Sequence, residues 1–139
     1  MLLNNHANVN STDSDLWTPL FVSCKENNLQ ISTILMKTNA DVNQANKDGD
    51  TPLHQASAGG YELITNLLVT YGANINHTNK LGETPLWKCV INGHKTIARH
   101  LVNHGADTEV SNRFGTTLKT QVGRKNDNEL IDLLSFNVS

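Results

Sequence analysis

His100 and His104 stand four residues apart, a spacing that sets two imidazoles on one helix face and could suit a metal ion. Cys24 and Cys89 offer two thiols, and Asp48 and Asp50 offer neighbouring carboxylates of the kind used in general acid–base work. His54 lies within GDTPLHQASAGG, Gly49 to Gly60, where a proline, a histidine and three glycines crowd together. None of these sets is complete as a reactive centre. No nearby acidic residue or cysteine brings the histidine pair to three or four ligands. The cysteines are far apart and show no metal-type spacing. Asp48 and Asp50 fall in a solvated turn, where nothing raises a carboxyl pKa. There is no GxSxG, HExxH, phosphate loop or dinucleotide fingerprint. The expectation is therefore no enzyme, no cofactor and no metal.

Composition narrows the partners. With 37% hydrophobic and 17% charged residues, the 139-residue chain reads as a soluble folded protein. A net charge of −2 gives no electrostatic basis for nucleic acid or an anionic membrane as partner. No apolar run approaches the ~20 residues that span a bilayer, and no charged-then-apolar leader opens the sequence. The 19 asparagines are scattered among regular apolar positions, which argues for a folded chain over a prion-like one.

The elements that must position these side chains recur. Thr18-Pro19-Leu20, Thr51-Pro52-Leu53 and Thr84-Pro85-Leu86 are each 33 residues apart. A second marker keeps the same step: Ala7-Asn8-Val9-Asn10, Ala40-Asp41-Val42-Asn43, Ala73-Asn74-Ile75-Asn76 and Ala106-Asp107. Thr51 is a natural N-cap, with Pro52 at the first helical position, where its missing N–H does no harm. Leu53 and Ala56 share one face of a short helix that Gly59-Gly60 ends. Leu63, Ile64, Leu67 and Leu68 form the apolar stripe of a second helix, closed by Gly72. Ala73 to Asn76 and Asn79 to Gly82 then read as an extended arm with a tight turn. A single unit cannot cover its own apolar faces, so the units must stack.

This order of TPLH, small-residue helix, LL and GADVN closely resembles the ankyrin repeat. The resemblance implies an all-α ankyrin-repeat solenoid, each 33 residues forming a helix-turn-helix plus a β-hairpin arm. It covers residues 1–139 as one domain: a partial unit 1–14, repeats 15–47, 48–80 and 81–113, and a capping repeat 114–139. Residues Met1 to Asn10 match the end of a second helix and an arm with no first helix before them, as expected of a chain cut from a longer array. At the other end, Lys119, Gln121, Arg124, Lys125 and Asn126 form a wet side while Leu130, Leu133 and Leu134 keep the inward stripe. In this reading His54 ties neighbouring loops together by hydrogen bonds, as Phe21 and Trp87 at equivalent positions cannot transfer a proton. His94 belongs to the family's Gly-His turn. Leu16 stands where Gly49 and Gly82 stand, so it either strains the turn or reshapes it. Asn39 replaces Gly72 and Gly105 at a helix end.

The resemblance also implies a function, a protein-interaction module that serves as an adaptor, a scaffold or the recognition segment of a larger regulatory protein. A protein partner would bind on a concave face of arm tips and first helices. The family's contact slots fall on Asp15, Trp17 and Lys25 in the first repeat, and on Lys47, Asp48 and Asp50 at the second. They continue with Lys80, Leu81, Glu83, Ile91 and Asn92, then Arg113 and Phe114. Trp17, Leu81, Ile91 and Phe114 are large apolar groups at slots the scaffold does not need for its core, and such groups are enriched in binding hot spots. Asn43 and Asn76, each eight residues after a leucine, match a pattern hydroxylated in this family; the competing reading is that they hold the turn. The alternatives in function are a structural spacer in a longer array and a host-directed effector using the same surface. Cys24 and Cys89 lie two repeat steps apart, ~20 Å at ~10 Å per step, too far to bridge. Two free buried thiols point to an intracellular, reducing compartment, and a monomer is expected.

Overall fold

The computed structural model describes residues 8–124 and 127–136, apart from the side chain of Phe136. The start of the N-terminal partial unit, residues 1–7, and the cap positions Lys125 and Asn126 lie outside the described residues. Among the described residues eight helices form in four pairs: α1 Pro19–Lys25 with α2 Leu29–Lys37, α3 Pro52–Gly59 with α4 Glu62–Thr70, α5 Pro85–Ile91 with α6 Lys95–Asn103, and α7 Leu118–Gly123 with α8 Asn128–Phe136. None of these helices is long and apolar enough to cross a membrane.

Each first helix starts in the same way. The hydroxyls of Thr18, Thr51, Thr84 and Thr117 accept hydrogen bonds from the backbone N–H of Phe21, His54, Trp87 and Thr120 at 3.1, 3.4, 3.1 and 3.1 Å. A cap of this kind contributes about 1 kcal/mol. Thr117 lies 33 residues after Thr84, so the repeat keeps its register into the last unit and Leu118 takes the place of the proline. Leu118 is fully buried there, which compensates for the lost turn rigidity with apolar packing.

The first helices stack in one row, α1 on α3, α3 on α5 and α5 on α7, and the second helices form the row behind, α2 on α4 and α4 on α6. The core runs between the rows. Leu35, Leu68, Leu101 and Leu134, spaced by 33, are all fully buried, as are Leu20, Leu53 and Leu86 of the first helices. Burying each such side chain contributes about 2 kcal/mol. Between α6 and α8 an exposed ionic cluster adds to the apolar seam: Lys95 reaches Asp127 and Glu129 at 3.2 and 3.1 Å, and Arg99 reaches Glu129 at 3.3 Å.

The arms are turns, not paired strands. Each is closed by the same two backbone bonds: Asn46 N–H to the Asp50 carbonyl at 2.9 Å with Gly49 N–H to the Asn46 carbonyl at 3.0 Å, Asn79 to Glu83 at 3.0 Å with Gly82 to Asn79 at 2.9 Å, and Asn112 to Thr116 at 2.9 Å with Gly115 to Asn112 at 3.0 Å. Among the described residues no strand forms, and one isolated bridge joins Ser111 and Thr117. At that bridge the Leu118 N–H donates to the Val110 carbonyl at 2.9 Å, a further rung beyond the Asn112–Thr116 closure. Leu16 does adopt the left-handed backbone of its glycine counterparts, φ 63°, so the turn shape is kept and the strain accepted. Asn39 is also left-handed at φ 68°, and so is Asn27 at φ 55°, in the position of Gly60 and Gly93.

Candidate partner-binding face

His54 is a tie between units. It is fully buried; its Nδ1 accepts from the Thr51 N–H at 3.0 Å and its Nε2–H donates to the Glu83 carbonyl in the next arm at 2.8 Å. Burial holds its pKa below the ordinary imidazole range, outweighing the Glu83 carbonyl and Asp50, which favour the proton. A neutral imidazole with both nitrogens engaged has neither a free base nor a free acid to offer. Phe21 and Trp87 fill the equivalent buried positions. His94 makes a parallel tie, its Nε2 3.0 Å from the Ala58 carbonyl of the preceding unit.

A second set of ties aligns the arms. Lys47 N–H donates to the Asp15 carbonyl at 3.0 Å, Lys80 to Asp48 at 3.0 Å, and Arg113 to Leu81 at 2.8 Å. Each tip is shaped by one side chain reaching two backbone N–H groups. Asp13 holds Asp15 and Trp17 (2.9 and 2.9 Å), and Asn46 holds Asp48 and Asp50 (2.9 and 3.0 Å). Asn79 holds Leu81 and Glu83 (2.9 and 2.9 Å), and Asn112 holds Phe114 and Thr116 (3.0 and 3.0 Å). Sequence reasoning missed these four residues. Their signal was the same 33-residue spacing, hidden by the abundance of asparagine and by Asp13 standing in for it.

The expected contact residues divide into three groups. Asp15, Lys25, Lys47, Asp48, Lys80, Leu81, Asn92, Arg113 and Phe114 are exposed. Leu81 and Phe114 are 42% and 74% exposed, and the Arg113 guanidinium lies 5.4 Å from the Phe114 ring. The second group is turned inward. Asp50 Oδ1 accepts from Asn79 Nδ2 at 2.9 Å, and Glu83 Oε1 accepts from the same amide at 3.0 Å and pairs with Lys88 at 3.1 Å. Ile91 belongs here too, since it is half-buried against the core. Trp17 forms the third: its ring centroid is 5.3 Å from that of Phe21, Lys25 Nζ sits 4.5 Å above it, and its other edge lines an open groove of about 550 Å³ with Pro19, Val22, Glu26 and Ile31.

Asn43 and Asn76 are zips between units. Asn43 Oδ1 accepts from the Asn74 N–H at 2.7 Å while its Nδ2 donates to the Gly72 carbonyl at 3.3 Å. Asn76 repeats this with Asp107 at 2.8 Å and Gly105 at 3.2 Å. The geometry accounts for both asparagines as turn holders.

The other candidates for chemistry are the histidine pair and the two cysteines. The His100 and His104 rings lie 4.2 Å apart, and His104 Nδ1 is 2.8 Å from the His100 carbonyl, which takes that nitrogen away from a metal. No group of three or more His, Cys, Asp or Glu among the described residues is placed to hold a metal ion. Cys24 and Cys89 are free and fully buried, and burial pushes their thiols up to about 11 and about 12.

Comparison with known proteins agrees with this architecture. Among curated proteins no match to the chain was found. A family model of ankyrin repeats (3 copies) matches residues 1–79 and 58–135, which together take in nearly the whole described solenoid. Stacked helix pairs, threonine-capped first helices and cross-tied arms are thus joined by a direct match, and the chain belongs to the ankyrin-repeat family, whose repeats are in general protein–protein interaction modules and typically non-enzymatic.

Proposed function

We propose that this chain is a protein-interaction module that engages a protein partner along its row of arm tips and the adjoining ends of the first helices. One observation carries the reading. Leu81 and Phe114, large apolar side chains at 42% and 74% exposure, stand on tips whose backbones are bonded to one another at 2.8 Å. Exposed apolar groups on a rigid frame bind with little ordering cost, because the frame is set before the partner arrives. Binding, not catalysis, is the role, within an adaptor, a scaffold or a recognition segment of a larger protein. Two buried free thiols fit a reducing, intracellular setting, and we take the working unit to be a monomer.

The test compares wild-type protein with Phe114→Ala and Trp17→Ala in capture from the native cell extract, with cross-linking to locate the contact. Phe114→Ala should leave the melting temperature unchanged and abolish capture of at least one protein cross-linked to an arm. Trp17→Ala should weaken capture while also lowering stability, because its ring packs on Phe21. If every captured protein is retained by both variants, the chain is a spacer and the proposal fails.

A further inference from the structure

The row of tips is not uniform, and its asymmetry specifies a partner. The backbone ties place Asp15 beside Lys47, Asp48 beside Lys80, and Leu81 beside Arg113. At the first junction the exposed cation is flanked by carboxylates on both sides, Asp15 and Asp48. At the last, Arg113 stands between two apolar groups, Leu81 before it and Phe114 after it. Lys80 lies between the two regimes. Lys80 and Arg113, like Lys25, Lys37 and Lys47, form no ion pair among the described residues, and of these Arg113 is the one set between two exposed apolar groups. Two acidic side chains of the second and third arms, Asp50 and Glu83, are turned inward onto Asn79.

We propose that the junction of the third and fourth arms, built from Lys80, Leu81, Arg113 and Phe114, binds an extended acidic peptide segment of a partner protein. One carboxylate meets Arg113, a second meets Lys80, and a large apolar side chain between them packs on Leu81 and Phe114. Charge complementarity selects the acid and the exposed apolar pair selects its neighbour. Spacing sets the pattern. Adjacent units are about 10 Å apart, and an extended chain rises about 3.3 Å per residue with alternate side chains on one face. Acids four residues apart, about 13 Å, with the apolar residue midway, face the tips together within reach of the long Lys80 and Arg113 side chains. At the first junction Asp15 and Asp48 repel the same segment, so the peptide is confined to the C-terminal half. The inference rests on reading the arm row as the partner surface.

The probe is a phage-displayed library of random twelve-residue peptides selected on the full chain, followed by synthetic versions of the enriched sequences in fluorescence anisotropy. Enriched peptides should carry Asp or Glu about four residues apart with Leu, Phe or Trp midway between. Their affinity should fall about tenfold with Arg113→Glu or Lys80→Glu, and comparably with Phe114→Ala. It should also weaken from 50 to 500 mM salt, roughly a threefold fall in Debye length, and stay unchanged with Lys37→Glu on the second-helix row. Circular dichroism checks that each variant is folded. Peptides that need Phe114 or Trp17 yet are neutral or basic, and ignore Lys80→Glu, would overturn the acidic partner and leave the interaction module standing. No binders, or binders indifferent to every arm substitution, would overturn both.

Discussion

The Nε2 of His54 lies 2.8 Å from the carbonyl oxygen of Glu83, 29 residues further along the chain. With the Thr51 N–H on the opposite nitrogen, this single ring caps its own helix and fastens the next arm to it. His54→Ala would leave a buried N–H and a carbonyl short of a partner and open a cavity, so about 2–4 kcal/mol of stability is lost. Urea denaturation measures it.

The same ring makes the fold pH-sensitive. Burial depresses the folded-state pKa of His54 below its unfolded value near 6.5, so the unfolded chain binds more protons as the pH falls. Stability is complete above the unfolded pKa and is lost as the pH drops through it toward the folded value. His100, lowered by its partial burial and by His104, pulls in the same direction. The melting temperature should fall between pH 7.5 and 5.5, and the slope should flatten in His54→Gln.

Gly82 sits where the third and fourth arms touch. Its φ is 80°, and a Cβ there would meet the Arg113 nitrogen at 2.8 Å. Gly82→Ala should cost about 1–3 kcal/mol. It should also speed hydrogen exchange of the Arg113 amide, which donates to Leu81. An unchanged exchange rate would mean the arms are not held together by this bond.

Ser57 and Thr65 are buried with no hydrogen-bond partner for their hydroxyls. In the preceding unit the corresponding region is satisfied, with Ser23 and Ser32 2.7 Å apart. Ser57→Ala combined with Thr65→Val should therefore stabilise the protein by at least about 1 kcal/mol, a rise of about 4 °C in calorimetry. Ser32→Ala should do the opposite.

Burial predicts thiol behaviour as well. With pKa values pushed up to about 11 and about 12, Cys24 and Cys89 should resist a maleimide at pH 7.5 in the native protein. Both should react in 6 M guanidinium, and mass spectrometry counts the adducts.

The fold was legible because a 33-residue step fixes which positions must be apolar, capped or left-handed, and those are local demands. Thr51, Leu68 and Asn39 could each be assigned from their neighbours in sequence. So could the role of His54, since Phe21 and Trp87 share its slot. The candidate binding face was legible only as a set of slots. Asp50 and Glu83 look as available as Asp48 until Asn79 is seen holding both, and Ile91 looks as free as Phe114 until it is seen against the core. Trp17 was open between core and contact; its ring packs on Phe21 and also lines an open groove. Hydrogen bonds and contacts between units join residues about 30 positions apart, and the side chain's direction at each tip depends on them. Periodicity thus determined the scaffold, through short-range backbone and packing rules. Which tip residues stay exposed was decided by the stacking of neighbouring units, which turns some side chains inward and leaves others in water.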